Sequence, residues 1–340
     1  MELYSNAEKA ILRTLCSDSR ASITKLAKAA RCSRAAAAKN LARLERKLGL
    51  RYTLEINETK LGGSERHLVA IKFDAKPSKE SLKEFFKADT NAQAVYALSG
   101  DYDLLIYARA GDPESYIVWE TYVASQLAEY RPLIKPSEFV ITHWGFWPLS
   151  DSFVAEIRES TGLDELDRKM LIVLNSNSRT SISKIARETG AAIGTVRYRL
   201  MNLKKSGIIK RFTVAVQSPP YEYQMVEFIN YRFSKDFEER FANIRKKYLE
   251  MDEGTVPLLN KWQIIAPISG SFRSFVMSIY EGKEDATESV PAFQKSIFKK
   301  DNIAVSYARI SSVIKGLLPY RSLDVKQNYV YLGWRGQKRQ

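Results

Sequence analysis

Two short stretches of this sequence hold the residue types that grip a polyanion. Arg34, Lys39, Asn40 and Arg43 lie within RAAAAKNLARLERK. Thr195, Arg197, Tyr198, Arg199 and Asn202 lie within IGTVRYRLMNLKK, and Lys204, Lys205, Lys210 and Arg211 follow closely. Guanidinium groups suit guanine edges or phosphates, an asparagine amide suits adenine or phosphate, and lysines suit phosphate oxygens. The chemistry on offer is therefore recognition of double-stranded DNA. Catalysis finds little material: there are two histidines and two cysteines in 340 residues, and no glycine-rich phosphate loop, Cys/His metal spacing or nucleophile motif. No catalytic residue, cofactor or metal is expected. His67 and His143 read as structural, and Cys16 and Cys32 as small residues of the first stretch's own module.

The charge agrees with a polyanion partner. The formal net charge is +14, from 53 Lys/Arg against 39 Asp/Glu. Residues 1–50 have 11 basic against 4 acidic side chains, and residues 166–215 have 11 against 2. Residues 65–150 have 9 against 12, and residues 224–320 have 14 against 12. Two basic blocks thus alternate with two near-neutral ones, as two contact modules joined by scaffold would.

The elements that must position these residues come in two copies. Sliding the chain by 159 positions lays Leu12–Leu44 on Leu171–Leu203 without a gap, with 11 of 33 positions identical. Apolar identities follow from shared helical periodicity, but Ser-x-Ser-Arg-x-Ser-Ile in both copies does not. Each copy reads as three helices followed by a strand. In the second copy a helix over Leu166–Leu174 starts near Asp164 or Asp167. A short one over Ile182–Glu188 ends at Gly190, and the third runs from about Ile193 to Lys205 and stops at Gly207. Val196, Leu200 and Leu203 give the third helix its buried stripe, leaving the polar set above to face outward. The strand IIKRFTVAV reads as part of a hairpin, which makes each module a winged helix-turn-helix. The first copy's third helix, about Arg34 to Lys47, buries Ala37, Leu41 and Leu44 and presents its cations among alanines. It should read less sequence than the second.

The near-neutral blocks follow the order strand, helix, two strands, helix, strand. The first has HLVAIKF, SKESLKEFFKA, AVYALSG, DLLIYARA, a helix near 113–130 and FVITHWGFW. The second has VEFINYRF, KDFEERFANIRKKY, WQIIAPISG, FRSFVMSIY, a helix near 284–299 and VSYARISSVI. This βαββαβ order predicts a ferredoxin-like sandwich with helices on one face of the sheet and an apolar face left over to pair with a second sheet. The expected fold is α+β, a winged helix-turn-helix plus a ferredoxin-like unit, repeated twice in tandem. The expected divisions are 1–57, 65–150, 163–216 and 224–320, then a basic aromatic tail, 321–340.

On these motifs the chain resembles two Lrp/AsnC (feast/famine) transcriptional regulators fused head to tail. The carrying stretches are LDELDRKMLIVLNSNSRTSISKIARETGAAIGTVRYRLMNLKKSGIIKRF, and INETKLG followed by LSGDYDLLIYA. The resemblance implies a small amino-acid-like effector at Gly100, Asp101, Tyr102 and Asp103. The counterpart Gly270-Ser271-Phe272-Arg273 replaces the acid by a base, which argues against effector binding there. A sibling enzyme class, the sirohaem decarboxylases, is similar in architecture and also occurs as fused pairs. Its His-Asn-Tyr type motif is absent, for this chain has Leu98-Ser99-Gly100-Asp101-Tyr102 and Ile268-Ser269-Gly270-Ser271-Phe272.

The reading that results is a regulator and not an enzyme: a covalent pseudo-dimer that contacts two unlike half-sites. An architectural chromatin protein is the alternative, and an enzyme like the sirohaem decarboxylases is the further one. Leftover sheet faces predict a homo-oligomer, a dimer of tandem chains. No run approaches 18 apolar residues, and the start MELYSNAEKA lacks a signal-peptide layout, so no membrane contact and a cytoplasmic location are expected.

Overall fold

The computed structural model describes residues 4–57, 60, 65–134, 138–140, 147–149, 154, 162–217, 223–231, 262–280, 282–288 and 303–319. The expected helix over KDFEERFANIRKKY, most of the one near 284–299, His143 and the tail 321–340 lie outside these residues.

The first basic block folds as α1 (Asn6–Ser17), α2 (Ile23–Ala29) and α3 (Arg34–Leu48), followed by β1 (Leu50–Ile56). Each helix starts on a serine whose hydroxyl accepts a backbone N–H: Ser5, Ser22 and Ser33. The first near-neutral block gives β2 (Glu65–Phe73), α4 (Lys79–Lys87), β3 (Ala92–Gly100), β4 (Leu104–Ala110), α5 (Pro113–Gln126), β5 (Pro132–Ile134) and β6 (Glu138–Val140). The second basic block gives α6 (Glu165–Ser176), α7 (Ile182–Thr189), α8 (Ile193–Lys205) and β7 (Ile209–Val216). Gly190 and Gly207 both take left-handed backbone at +70°, ending α7 and following α8 as their positions in the sequence suggested. The last block gives β8 (Tyr223–Tyr231), β9 (Trp262–Ser269), β10 (Ser274–Tyr280) and β11 (Ile303–Lys315), and β12 (Leu318–Pro319) closes the described chain.

Among the described residues, the strand after each third helix forms no wing hairpin inside its own module. β1 pairs antiparallel with β7, from Leu50↔Val216 through Thr53↔Thr213 to Ile56↔Ile209, and β12 adds to the far side of β7. A lone strand would leave the backbone groups of both its edges unpaired, and each module supplies the partner for one edge of the other's strand.

This pairing also accounts for the repeated serine–arginine motif. Ser19 and Ser178, 159 positions apart, meet hydroxyl to hydroxyl at 2.6 Å and are fully buried. Arg20 donates to the Ser178 carbonyl at 2.8 Å, and Arg179 donates from Nε to the Ser19 carbonyl at 2.6 Å. The Arg20 guanidinium lies over the Phe212 ring and that of Arg179 over Tyr52. Thr53 donates to Asn175, and Thr213 donates to the carbonyl of Cys16, its counterpart by the same offset. Such reciprocity is what a two-fold axis produces, here inside one polypeptide.

The remaining strands form two four-stranded sheets ordered β6-β2-β4-β3 and β11-β8-β10-β9, the ferredoxin-like order in each. Their edges join, β3 to β11 and β6 to β9, so eight antiparallel strands close into a ring with β5 on an outer edge of β2. Closure removes the open edges that a sandwich would leave. The apolar faces meet inside: Trp147 stacks on Tyr107 at 4.0 Å between ring centres and lies 5.8 Å from Phe275, which packs against Phe228. On the outer face of the first sheet, α4 and α5 bury Leu82, Phe86, Tyr116, Trp119 and Val123 against Val69, Ile71, Val95 and Ile106. The faces expected to draw a second chain are thus covered within this one. Among the described residues, the large apolar side chains exposed on α5 are Ile117, Val118 and Tyr122.

Candidate nucleic-acid interface

In each module the third helix lies on the first two by a buried stripe, Ala37, Leu41, Leu44 and Leu48 in α3 and Val196 and Leu203 in α8, with Leu200 half-buried. Periodicity therefore sets the outward face. On α3 it carries Arg34, Ala35, Ala38, Lys39, Ala42, Arg43, Arg46 and Lys47, all exposed, with Asn40 half-buried. On α8 it carries Ile193, Gly194, Thr195, Arg197, Tyr198, Met201, Lys204 and Lys205, all exposed, with Asn202 half-buried.

Four of the expected DNA-contacting side chains are engaged elsewhere. Arg199 pairs with Asp164 at 2.7 Å and Asp167 at 3.3 Å, at the start of α6. Its guanidinium fastens α8 to α6 and is not held free for a base edge. Burial, with Asp164 alongside, pushes the Asp167 carboxyl above the usual range, and Arg199 opposes this. Arg43 takes the matching role in the first module, pairing at 2.6 Å with Glu8, which is buried. Burial raises the Glu8 carboxyl, but the Arg43 hydrogen bond and the Ser5 N–H outweigh it and hold it below the usual range. Glu8 and Asp167 occupy the same place in the two copies, so an acid there is a packing feature of the module. Lys210 and Arg211 both reach Glu55 on the paired β1 strand, and they brace the strand pair. Sequence spacing identifies these cations but not the acids that meet them from another element.

The sequence reading selects polar side chains on α8 and so passes over Ile193 and Met201. The signal was present, for neither belongs to the Val196–Leu200–Leu203 stripe.

The loop expected to hold an effector links the two sheets. Gly100 has φ +142°, and a Cβ there would stand 2.9 Å from the Tyr307 carbonyl of β11. Asp101 accepts from the Ser306 hydroxyl at 2.9 Å and the Tyr307 N–H at 3.0 Å. Tyr102 is buried, edge-on to Phe228. Asp103 accepts the Phe73 N–H at 3.0 Å and pairs with Lys76 at 2.6 Å and Lys72 at 3.4 Å. The counterpart loop does the same work with the roles exchanged: Ser271 N–H and Phe272 N–H donate to Glu138 of β6 at 2.8 and 3.2 Å.

Burial raises the Asp103 carboxyl, but Lys76, the Phe73 N–H and Lys72 together bring it below its ordinary value. A carboxylate depressed on folding stabilises above its unfolded pKa of about 4, and that contribution is lost as pH falls through the folded value. Asp103→Asn should therefore lower the unfolding midpoint at neutral pH, and the gap from the parent chain should narrow below about pH 4. Midpoints measured in urea from pH 7 to pH 2.5 check this; a gap independent of pH would contradict it.

His67, expected to be structural, is buried, stacks on Tyr116 at 3.7 Å and contacts Glu65 at 3.2 Å. Among the described residues, no helix is long and apolar enough to cross a membrane, and no cluster of His, Cys, Asp or Glu is placed to hold a metal.

Comparison with known proteins bears on this geometry. A family model described as winged helix-turn-helix DNA-binding matches residues 163–210, which hold α6, α7 and α8. The HTH-type transcriptional regulator FL11 of Pyrococcus horikoshii is 31% identical over 91 residues, 27% of this chain and 60% of FL11. The chain thus spans about 60% of the length of that relative. An uncharacterised HTH-type transcriptional regulator of Pyrococcus abyssi is 28% identical over 163 residues, 44% of this chain and 99% of its own length. Among solved structures, the siroheme decarboxylase NirDL covers 96% of this chain and 97% of its own, with a TM-score of 0.52 and 12% identity. That likeness is one of fold.

Proposed function

We propose that this chain, two Lrp/AsnC-like units in one polypeptide, is a transcriptional regulator that binds double-stranded DNA as a covalent pseudo-dimer. The observation that carries this reading is the reciprocal joint of the two basic modules: β1 on β7, Ser19 on Ser178, and each arginine on the other copy's backbone. Two modules held by an internal two-fold meet two half-sites one helical turn, about 34–36 Å, apart on one DNA face. The outward faces of α3 and α8 differ, so the half-sites are unlike. Exposed Lys39, Lys204, Lys205 and Arg34 supply phosphate contacts. Arg197, Thr195 and Tyr198 supply base discrimination, with Asn40 and Asn202 at the flanks of the two helices.

The role is regulatory and not enzymatic, in line with the named relatives, and the chain acts in the cytoplasm. A small amino-acid-like effector acts at Gly100, Asp101, Tyr102 and Asp103, where a ligand competing for Asp101 would loosen the joint between the sheets. Pairing of tandem chains falls to the helix layer around Ile117, Val118 and Tyr122 of α5.

The test is selection of bound sequences from a random duplex pool with the full-length chain at roughly physiological salt. The expected product is one motif with two unlike halves about one turn apart. Binding without an enriched motif would replace this reading by an architectural one. No binding at all would turn attention to the tetrapyrrole chemistry of the enzymes that share the fold.

A further inference from the structure

We propose that the second module recognises thymine methyl groups, through an apolar stripe on α8 made by Ile193, Tyr198 and Met201. This deepens the DNA-binding reading above and rests on it.

Three of the large hydrophobic side chains exposed in this structure lie on this one 13-residue helix: Ile193 at 50%, Tyr198 at 58% and Met201 at 45% exposure. Single exposed apolar residues are ordinary, but a stripe of them on one helix face marks a contact surface. Tyr198 and Met201 are three apart, on one face, and Ile193 stands at the helix start beside Gly194, which has nothing within 4 Å of where a Cβ would be. Arg197 projects from the same face, and Lys204 and Lys205 lie one turn further on. An apolar strip bordered by cations is poorly matched to phosphates alone. It does match the major groove, where the thymine C5-methyl is the apolar group among donors and acceptors and flanking phosphates take the cations.

The first copy lacks this strip. At the offset of 159, Ile193, Gly194, Arg197, Tyr198 and Met201 correspond to Arg34, Ala35, Ala38, Lys39 and Ala42. Methyl recognition should accordingly be confined to the half-site under α8, with α3 held mainly by charge.

The experiment uses the full chain and a duplex of about 30 base pairs that the chain itself enriches from a random pool. The duplex is remade with deoxyuridine for thymidine in one half at a time, which removes methyl groups and leaves every hydrogen-bonding edge intact. Affinity should fall about fourfold for each buried methyl, in one half only. The triple substitution Ile193→Ala, Tyr198→Ala, Met201→Ala should bind the thymidine and deoxyuridine duplexes equally. The three side chains are solvent-exposed, so the variant keeps its fold, and the parent chain's own methyl dependence stands as a separate measurement. Equal binding of both duplexes by the parent chain overturns the inference while leaving the regulator reading intact, and would reassign the stripe to a protein partner. A methyl dependence that survives the triple substitution overturns it as well. Failure of any duplex to bind overturns the DNA-binding reading and this inference with it.

Discussion

Trp147→Ala should destabilise the chain by about 3–5 kcal/mol, the usual cost of truncating a buried tryptophan. Trp147 is 1% exposed and sits where the two sheets meet, stacked on Tyr107 from one and near Phe275 of the other. Removing the indole leaves a cavity that both sheets line, and the ring of strands restricts how far they can collapse into it. The loss should appear in chemical denaturation as a lower midpoint. If the chain tolerated alanine with a change below about 1 kcal/mol, the interior would not be packed as described. The same substitution should leave the joint between the DNA-binding modules in place, because β1 and β7 form a separate sheet and Ser19 meets Ser178 in turns of those modules.

The second large effect concerns charge. Lys204→Gln with Lys205→Gln removes two exposed cations at the C-terminal end of α8. Each phosphate contact contributes about 0.9 to the slope of log affinity against log salt. The slope should flatten by about 1.8, with affinity falling to a similar extent on every duplex. Lys210→Gln with Arg211→Gln makes the informative comparison. Both cations are bound by Glu55 across the strand pair, so their loss should change stability and leave the salt slope near its parent value. Equal flattening in the two pairs would mean that Glu55 releases its partners on DNA, contrary to the bracing role assigned here.

Much of the architecture was legible because it depends on local period and on short signals. Val196, Leu200 and Leu203 mark a helix face, Gly190 and Gly207 mark ends, and the strand–helix order of the scaffold blocks implies a sheet with one free apolar face. What periodicity cannot give is the partner of a buried face. That IIKRFTVAV would pair with residues 50–56, and not fold back into its own wing, depends on a contact across more than 150 positions. The serine–arginine motif was visible as a repeat, but its reason appears only when Ser19 is seen against Ser178. The same limit governed the site. Arg199 and Arg43 have the residue type and helix position of DNA contacts, yet Asp164, Asp167 and Glu8 reach them from another helix. Gly100 and Asp101 carry a family-like loop motif, and here they meet the edge strand of the other unit.

The central claim is that one chain holds two recognition helices rigidly for two half-sites on one face of DNA. The direct measurement is the affinity of the full chain for its selected duplex before and after five base pairs are inserted between the halves. Half a helical turn moves one half-site to the opposite face. The account predicts that binding then falls to the level of a duplex carrying the better half alone. Affinity unchanged by the insertion would mean that the modules move independently, and the pseudo-dimer described here would not be the DNA-reading unit.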